Sequence, residues 1–461
     1  MLKNGVDVDI VTFERRFSAQ IVVINEFDAS AAYPGDWGSK LNIMTQRAVI
    51  TGLGIVSPIG IGVAEFWKAA LDGRCGISAI RSFDPFTIDD YRSRIAGQVE
   101  NFFPEELLDP PHWQRVDRYA QFGLVSVKEA MADAGVRLEQ EDPHRVGVIV
   151  GVGMGGMVMG EREITQLYEQ QRPQRVHPNF IPVITLNSAS GIIALATGAK
   201  GPNLTISTAC SSSAHALGQA LECIRNGRAD VVITVGADAS ITPLVFAGFC
   251  SLRALSTKYN DMPTKASRPF DRGRDGFVMG EGAGALIVES LDHARSRKAR
   301  IYAEVAGYAA TSEAYHMVIP KEDGGEVATT MNFALRDAGV APDEVGYINA
   351  HATSTSVGDA VEIKALRKVF DHRVEKLAVN ATKSLIGHTL GAAGAIAAIA
   401  TTMGLQTGKI HPTLNYDDPD PACELPGIST STQERKFDVA LINAFGFGSN
   451  NAAVVLRRFA G

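Results

Sequence analysis

The sequence predicts an α/β fold made of two similar βα halves. Short apolar, β-favouring runs alternate with stretches of helical periodicity from about residue 47 onward, which is typical of a sheet covered by helices on both faces. At 461 residues the chain is too long for one simple layer, so two domains or two halves are expected. A weak repeat, HALG at His215 and HTLG at His388, opens one helix in each half and hints at duplication.

The N-terminal half begins with a strand and a turn, because the β-favouring run from Arg47 ends in the glycines and the Ser-Pro pair of residues 52–58. Helical spacing predicts helices further on, and uninterrupted apolar runs predict buried strands. A loop with Phe249 and Cys250 is expected after the last central strand. The predicted elements are strand 47–52, helices 63–71 and 117–135, strand 146–150, helix 161–170, strands 230–236 and 283–289, and helix 290–298.

The C-terminal half repeats the same alternation. Its predicted elements are strand 301–307, helix 326–338, strand 345–349, helix 360–370, strand 377–379, helix 390–405, and strands 439–443 and 452–456. Strands that alternate with helices imply a mostly parallel sheet.

Composition and charge exclude several classes of function. A net charge of −7 argues against general nucleic-acid binding, although a local basic patch for an acidic partner remains possible. Five scattered cysteines indicate a reducing compartment rather than a disulfide framework, and no CxxC pair suggests zinc. No apolar run reaches the roughly 18 residues of a membrane span; the richest candidate, near residues 394–403, is short.

The first 43 residues differ from the rest, since they lack sustained periodicity and have the pattern of neither a secretion signal nor a transit peptide. A regular strand pattern starts directly after Met44. We therefore expect residues 1–43 to be a poorly ordered extension, residues 44–297 to form the N-terminal half and residues 298–461 the C-terminal half.

Cys210 is the leading candidate nucleophile. A β-favouring run stops just before it, and apolar residues then recur with helical spacing at Ala214, Leu217 and Leu221. The thiol is therefore expected at a strand-to-helix corner, where the free N–H groups and the positive end of the helix dipole favour the thiolate. The alternative is a small buried core cysteine.

Two histidines have the same relation to predicted strands. His351 follows strand 345–349, and His388 follows strand 377–379 after a short polar segment. Functional sites of parallel sheets form at the carboxyl ends of strands, so Cys210, His351 and His388 are expected to converge. Cysteine and histidine are also zinc ligands, and a zinc site is the alternative for the trio.

These stretches resemble a known family, the β-ketoacyl-acyl carrier protein synthases of the elongating type II kind, within the thiolase-like condensing enzymes. The resemblance extends from about Arg47 to Arg458. The motifs behind it are TACSS at Cys210, HATST at His351, KSxxGHxxGAAG from Lys383, GEGAG at residues 280–284 and FGFG at residues 445–448. It implies a thiolase-like fold with packed mixed sheets in five layers, α-β-α-β-α.

The resemblance implies a Cys-His-His triad that catalyses decarboxylative condensation. Cys210 would hold the growing acyl group as a thioester, and malonyl-acyl carrier protein would lose carbon dioxide to give an enolate. His351 and His388 would donate hydrogen bonds to the enolate oxygen, supported by Lys383. Backbone N–H groups of Cys210 and Phe447 would bind the tetrahedral oxyanion, and Phe447 would act as a gate between flexible glycines.

The same resemblance assigns further roles. Thr353 and Thr355 would hold the phosphopantetheine arm that arrives on the carrier, with no resident cofactor and no metal. Met154 and Phe249 would line the acyl pocket. Asp359 and Glu362 lie one helical turn apart and would support the site, unless they form a solvated helix face. An acidic carrier protein is expected to dock on Arg115, Arg118 and Arg253, together with Lys258 and Lys265. A cytoplasmic homodimer is implied, with the loop near Met154 at the interface.

The chain departs from the family pattern at several positions. Ala352 replaces a glycine, Ile386 a threonine, and residues 449–451 read SNN instead of GTN. Ala397 stands where the nearest relatives carry a glutamate that links to Lys383, which puts metal-ion binding and the electrostatics of that lysine in doubt.

Several alternatives remain. A polyketide-type condensing enzyme also lacks the glutamate. A non-catalytic chain-length partner subunit would lack the nucleophile, a thiolase would need a second reactive cysteine that Cys423 does not resemble, and an initiating synthase would replace His388 by asparagine. The GxGxxG at residues 151–156 fits a dinucleotide site, but no strand ending in an acidic residue follows its helix, so close backbone packing is favoured.

Overall fold

The structure, a computed structural model, describes residues 46–81, 83, 87–109, 114 and 116–461. The predicted extension over residues 1–43, the start at Met44 and the carrier-binding candidate Arg115 lie outside these residues. Residues described from Gln46 onward belong to one compact unit, so the two halves are not spatially separate bodies.

The strands are β1 (Ala48–Ser57), β2 (Gly60–Ile61), β3 (Ile77–Ala79), β4 (Ile95–Gly97), β5 (Val146–Gly151), β6 (Asn203–Ile206), β7 (Val231–Asp238), β8 (Gly282–Ser290), β9 (Ala303–Ser312), β10 (Val345–Asn349), β11 (Ala378–Asn380), β12 (Lys409–Ile410), β13 (Gln433–Glu434), β14 (Val439–Gly446) and β15 (Asn450–Arg458). The α-helices are α1 (Val63–Leu71), α2 (Pro104–Leu107), α3 (Arg118–Ala134), α4 (Met157–Gln170), α5 (Phe180–Ile184), α6 (Ser188–Thr197), α7 (Ser212–Arg225), α8 (Pro243–Ser251), α9 (Leu291–Ser296), α10 (Gly325–Asp337), α11 (Gly358–Phe370), α12 (Lys383–Ile386) and α13 (Ala393–Thr407).

Within the described residues, eleven strands form one mixed sheet in the order β11-β10-β14-β15-β9-β1-β8-β7-β5-β6, with β2 paired to β1. Parallel pairing is confined to the two ends, where β5 pairs with β6 and β7, and β10 pairs with β11 and β14. The inner pairs, including β1–β8, β7–β8, β9–β15 and β14–β15, are antiparallel. The expectation of a mostly parallel sheet is therefore wrong for the inner strands, and the mixed arrangement is confirmed.

Helices α7 and α13 form a central layer between the two halves of this sheet. Helix α7 packs against β5 and β7 on one side and against β9 and β15 on the other, and α13 packs against both β8 and β14. Helices α3 and α6 cover the outer face of the first half, and α10 and α11 cover the outer face of the second. Because both faces of the inner strands are covered, β1 and β8 are buried along their whole length.

The region after β7 corrects one sequence expectation. Phe249 and Cys250 lie on helix α8 rather than in a loop. Pro243 occupies its first turn, where its missing N–H costs nothing. The carboxylate of Glu161 accepts hydrogen bonds from the backbone N–H groups of Leu244 and Val245 at the same end. This cap comes from α4, about eighty residues earlier, so the local sequence gives no sign of it.

One helical stretch, Leu390–Thr407, has the length and apolar composition of a membrane span. The fold buries 83% of it, and the helix α13 within it lies in the central layer described above. Burial between two sheet halves accounts for its apolar character, so this stretch is a core helix.

Candidate active site

Cys210 lies at the strand-to-helix corner that the sequence predicts. Strand β6 ends at Ile206, one 3-10 turn spans Ala209–Ser211, and α7 follows from Ser212. Ala209 has φ 53°, in the left-handed region, so the backbone turns sharply just before the thiol. The Ser212 hydroxyl donates to the carbonyl of Ala209 at 2.6 Å and accepts from the N–H of Thr208 at 2.9 Å, which fixes this corner.

The protonation state of Cys210 differs from the sequence prediction. Burial raises the pKa of its thiol to about 12, although the nearby Lys383 and the backbone N–H groups of Phe447 and Cys210 itself lower it. The expectation of an acidic thiol is therefore wrong for the resting site, because desolvation in the closed cavity outweighs the helix terminus. The two N–H groups expected to form the oxyanion hole do point at the sulfur.

His351 follows β10 and is held by a carboxylate from α11. Glu362 accepts hydrogen bonds from the backbone N–H groups of His351 at 2.9 Å and Ala352 at 2.8 Å, and a third from the Asn443 amide at 2.9 Å. Ala352 has φ 35°, a conformation that favours glycine, so the alanine at this position holds a strained backbone. The Glu362 carboxylate stabilises this turn.

His388 follows the short helix α12 and is fixed through its backbone. Its N–H donates to the carbonyl of Val278 at 2.7 Å, and its own carbonyl accepts from the N–H of Gly280 at 2.9 Å. The ring nitrogen Nδ1 accepts from the N–H of Leu390 at 3.3 Å. Since Nδ1 is an acceptor, the neutral ring bears its proton on Nε2.

The two imidazoles stand edge to face, with ring centroids 5.5 Å apart and planes at 88°. Burial and the neighbouring Lys383 hold the pKa of both rings well below the ordinary value of 6.5. Both histidines are therefore neutral at pH 7 and can donate one ring N–H each. Neutral donors in a dry site are suited to stabilising a developing negative charge.

Lys383 is buried beneath the histidines, with 6% of its surface exposed. Desolvation lowers the pKa of its ammonium to about 8, opposed by the charges of Glu362, Cys210 and Asp359. The reading of Lys383 as a surface lysine is excluded by this burial. Asp359 and Glu362 are fully buried as well, so they do not form a solvated helix face. Asp359 accepts hydrogen bonds from the backbone N–H groups of Ser354 at 3.0 Å and Phe270 at 2.9 Å.

A cavity of about 320 Å³ opens onto these side chains. Cys210, His351 and His388 all line it, so the sequence prediction that they converge agrees with the structure. It is also lined by Thr353, Thr355, Phe249, Phe277, Phe447 and, near the opening, Arg253. The hydroxyls of Thr353 and Thr355 lie 3.0 Å apart, and the rings of Phe249 and Phe447 have centroids 6.5 Å apart.

The remaining candidates have different positions. Met154 does not line the cavity but packs behind it, in the apolar cluster that includes Cys210, Phe246 and Phe277. Arg118 forms a bidentate ion pair with Glu281 at 2.8 and 3.1 Å, and its guanidinium lies over two phenylalanine rings. Its guanidinium is thus engaged inside the fold rather than presented at the cavity opening.

The glycines of the GxGxxG stretch are used for close packing. A Cβ on Gly151 would lie 2.4 Å from the N atom of Ser213, and one on Gly153 would lie 2.4 Å from the carboxylate of Asp238. Neither position has room for a side chain, which favours the packing interpretation. Among the residues that the structure describes, no group of three His, Cys, Asp or Glu side chains is arranged to hold a metal ion.

The sequence reasoning missed two features of the site. Glu313, His316, Val318, Ile319 and Pro320 line the cavity from the segment between β9 and α10, which has no regular periodicity. Asp238 lies under the site at the end of β7. Its position at the carboxyl end of a buried strand that runs in the same direction as β6, the strand before Cys210, is the signal that could have found it.

Comparisons with known proteins agree with this geometry. The family model "Beta-ketoacyl synthase, N-terminal domain" matches residues 45–294, and "Beta-ketoacyl synthase, C-terminal domain" matches residues 302–417. The 3-oxoacyl-[acyl-carrier-protein] synthase 2 of Coxiella burnetii is 42% identical over 413 residues, which are 90% of this chain and 99% of the relative.

Solved structures of ketosynthases are also similar to this chain. A structure described as a type II PKS acyl-carrier protein in complex with its ketosynthase bound to the hexaketide matches with TM-score 0.84 and 34% identity, covering 90% of this chain and 100% of the other. A β-ketoacyl synthase from Burkholderia phymatum matches with TM-score 0.83 and 32% identity over the same shares. The thiolase-like α/β fold expected from the sequence is confirmed.

Proposed function

Because the chain belongs to the beta-ketoacyl synthase family, we propose that its site performs the family's condensation with Cys210, His351 and His388 as the reacting and stabilising groups. The chain is a condensing acyltransferase of the 3-oxoacyl-acyl carrier protein synthase type, which elongates fatty acyl chains. The observation that carries the residue assignment is the meeting of one thiol and two neutral imidazoles around one cavity.

In the first step, the sulfur of Cys210 attacks the thioester carbonyl of an acyl group on its carrier. The tetrahedral oxyanion accepts hydrogen bonds from the backbone N–H groups of Cys210 and Phe447. The carrier thiol leaves with the proton that the Cys210 thiol gives up, and the acyl group stays on Cys210. The cavity supports a covalent route because the nucleophile and both N–H groups lie together.

In the second step, malonyl-acyl carrier protein replaces the free carrier. Its carboxylate leaves as carbon dioxide, and the electron pair forms an enolate whose oxygen accepts hydrogen bonds from His351 and His388. The enolate carbon attacks the acyl-cysteine carbonyl, and the thiolate of Cys210 leaves. The thiolate then takes up one proton from solvent, because the malonyl carboxylate has left as neutral carbon dioxide. The products are 3-oxoacyl-acyl carrier protein, carbon dioxide and the free enzyme, while the protonated Lys383 favours the negative charge throughout.

The acyl groups arrive on the phosphopantetheine arm of the carrier, so the reaction requires no resident cofactor. The hydroxyls of Thr353 and Thr355 point into the same cavity and offer hydrogen bonds to the amides of such an arm. Phe249 provides an apolar wall for the acyl chain, with Met154 behind it. Phe447 lies between Gly446 and Gly448, which would let it swing away from the sulfur.

The carrier is proposed to dock at the cavity opening. Arg253 is exposed and lines this cavity, and its guanidinium has no hydrogen-bond or ion-pair partner among the described residues. Lys258 and Lys265, which follow Arg253 along the chain, are also exposed, and Lys265 lies 3.8 Å from the carboxylate of Asp417. A basic rim attracts an acidic partner mainly through its rate of association and its orientation.

A homodimer is proposed, formed through the free edge of the sheet. Strand β6 is the last strand of the sheet, and its far edge has no partner strand among the described residues. Strand β6 and the neighbouring helices α4, α5 and α6 expose large apolar side chains, as expected of an interface. The exposed residues are Ile164, Leu167, Tyr168, Ile181, Leu195 and Leu204. Replacing Leu195 by Glu should shift the mass measured by light scattering towards the monomer; an unchanged mass would exclude this face.

We propose a cytoplasmic location. All five cysteines are free, as expected in a reducing compartment.

A polyketide-type condensation is the second candidate. It is favoured by the likeness to a ketosynthase described as bound to a hexaketide and by Ala397, which is buried on α13 with its carbonyl 3.3 Å from the amide of Asn349. A non-catalytic chain-length partner is disfavoured, because Cys210 is present and lines the cavity.

Mass spectrometry of the intact protein tests both candidates. Incubation with acyl-carrier substrates of graded length should add one acyl group to Cys210, and malonyl-carrier should then release it as one 3-oxoacyl product. A single extension supports fatty acid elongation, whereas repeated extension without reduction supports the polyketide alternative. A Cys210→Ser variant that is still acylated at the wild-type rate would refute the assignment.

A further inference from the structure

Asp238 is a buried carboxylate that the mechanism above does not use. It ends strand β7 and is fully buried. One oxygen, Oδ2, accepts hydrogen bonds from the backbone N–H groups of Gly153 and Gly391, both at 2.9 Å. The other oxygen, Oδ1, accepts from the Ser240 hydroxyl at 2.8 Å and from the N–H of Met154 at 3.3 Å. Four donors thus converge on one side chain.

These donors come from three different segments around the active site. Gly153 and Met154 belong to the turn after β5, behind the acyl cavity. Gly391 lies in the 3-10 turn Leu390–Ala392, three residues after His388. The Leu390 N–H of that turn orients the His388 ring through Nδ1. The carboxylate of Asp238 is therefore one residue away from the contact that selects the histidine tautomer.

The two loops touch each other where the carboxylate joins them. A Cβ on Gly391 would lie 2.3 Å from the N atom of Gly153 and 2.8 Å from Oδ2 of Asp238. Without a shared acceptor at this point, two backbone N–H groups would face each other at close range and both would lose their partner. Leaving a buried polar group unpaired is destabilising, so this carboxylate holds the two loops in position against each other.

The negative charge of Asp238 does not help the nucleophile. It raises the pKa of the Cys210 thiol, in addition to the effect of burial. Burial also raises the pKa of Asp238 itself to about 6. The Asp238 carboxylate disfavours the Cys210 thiolate, and burying its charge is unfavourable. Its role is therefore best explained by the loops that it positions.

We propose that Asp238 is a positioning residue for the condensation step. Its carboxylate locks the turn after His388 against the turn that bears Met154, so that the Nε2–H of His388 stays aimed at the enolate oxygen. This inference rests on the proposed function, because it assumes that His388 acts on the enolate. Cys210 is not among the four donors that Asp238 accepts from, so acyl transfer depends on this carboxylate less than condensation does.

Two substitutions distinguish the effect of losing the hydrogen bonds from the effect of losing the side-chain volume. Asp238→Ala removes all four acceptor contacts. Asp238→Asn keeps the shape, and its one oxygen can still accept from Gly153 and Gly391. The amide then faces the Ser240 hydroxyl, which can rotate to accept, and the N–H of Met154, which loses its partner. Asp238→Asn should therefore recover much of the condensation rate that Asp238→Ala loses.

The experiment measures the two steps separately, with thermal unfolding to correct for the folded fraction. Acylation of Cys210 is followed by intact mass after addition of acyl-carrier, and condensation is followed by single turnover of the acylated enzyme with malonyl-carrier. In Asp238→Ala, condensation should fall about a hundredfold, the cost of a lost transition-state donor. Acylation of Cys210 should not fall, and its alkylation by iodoacetamide should become faster, because the charge that is removed raises the pKa of the Cys210 thiol. Asp238→Asn should recover most of the condensation rate.

Glu289→Gln serves as the matched control, because Glu289 is a fully buried carboxylate whose partners Thr51, His293 and Arg297 lie outside the cavity lining. It should lower stability without separating the two steps. Equal losses in acylation and condensation for Asp238→Ala, or no loss in either, would overturn the proposal. If wild-type enzyme acylates but never condenses, the proposed function fails instead, so the two failures are distinguishable.

Discussion

Replacing Gly446 by alanine should disable the oxyanion hole without touching a catalytic side chain. Gly446 ends β14, next to the Cys210 corner. A Cβ there would lie 2.3 Å from the carbonyl oxygen of Thr208, 2.9 Å from the Ser211 hydroxyl and 3.3 Å from the N atom of Cys210. The first contact is with backbone and is far shorter than any real Cβ contact, so β14 or the corner must move by several tenths of an ångström.

The displaced segment contains both N–H groups that point at the sulfur, those of Cys210 and Phe447. Removing one oxyanion donor typically costs about a hundred- to a thousandfold in kcat, or about 2.7–4 kcal/mol of transition-state stabilisation. We therefore expect Gly446→Ala to lower the rate of acyl transfer to Cys210 by at least about a hundredfold. The change should appear in kcat more than in KM, because the cavity opening is untouched.

The assay is the rate at which the intact mass of the protein rises after addition of acyl-carrier, with the folded fraction checked by circular dichroism. Gly248→Ala is the matched control: it lies on α8 beside the cavity-lining Phe249, and nothing lies within 4 Å of the added Cβ. This control should acylate normally and gain about 0.5–1 kcal/mol of stability from the helix. A folded Gly446→Ala protein that acylates at the wild-type rate would refute the reasoning.

Three further predictions follow from charge. Arg253→Glu should raise the KM for carrier-bound substrate at low salt, and this increase should shrink at high salt. The control Arg137→Glu, which lies outside the cavity lining, should leave the KM unchanged. An equal increase in KM for both variants would exclude docking at Arg253. Hydrogen bonds to two glutamates raise the pKa of His293 to about 9, so its contribution of about 3 kcal/mol to the free energy of unfolding is fully present below pH 6.5 and is lost as pH rises to 9. In urea unfolding, the free energy of unfolding of His293→Gln should not show this fall with rising pH. If the wild-type and His293→Gln proteins lose stability in parallel as the pH rises, the prediction is refuted. Glu362→Gln removes the negative charge that supports protonated Lys383, so the alkaline limb of the pH–rate profile should move below pH 8; an unmoved limb would show that Lys383 does not control it.

The positions of the reacting side chains could be predicted because they depend on local patterns. Cys210 lies where a β-favouring run meets helical spacing, and His351 follows a strand whose bounds, Val345–Asn349, match the prediction. Parallel pairing places the carboxyl ends of β10 and β11 side by side, which brings the segments of His351 and His388 together. Strand β6 lies at the opposite end of the sheet, so Cys210 reaches the histidines because α7 and α13 pack between the two halves of the sheet, which local patterns do not show.

The electrostatic state of the same groups could not be predicted, because it depends on how completely the fold excludes water. Local sequence gives Cys210 a helix terminus, which lowers a thiol pKa, yet burial reverses the sign. Lys383 similarly reads as an ordinary lysine, but α12 buries it against Glu362 and Cys210. Helix α8 was missed for a related reason, since the Glu161 cap at its N-terminus comes from α4.

The raised pKa of the Cys210 thiol in the resting site determines the order of events. A thiol with a pKa near 12 is almost fully protonated at pH 7, and both neutral histidines are poor proton acceptors in their buried state. Attack by Cys210 therefore becomes favourable only when the substrate carbonyl is already in place, so that negative charge passes from the sulfur to an oxyanion held by the N–H groups of Cys210 and Phe447. Such a site protects an unloaded thiol from alkylation and oxidation, and reserves its reactivity for a thioester that fills the cavity.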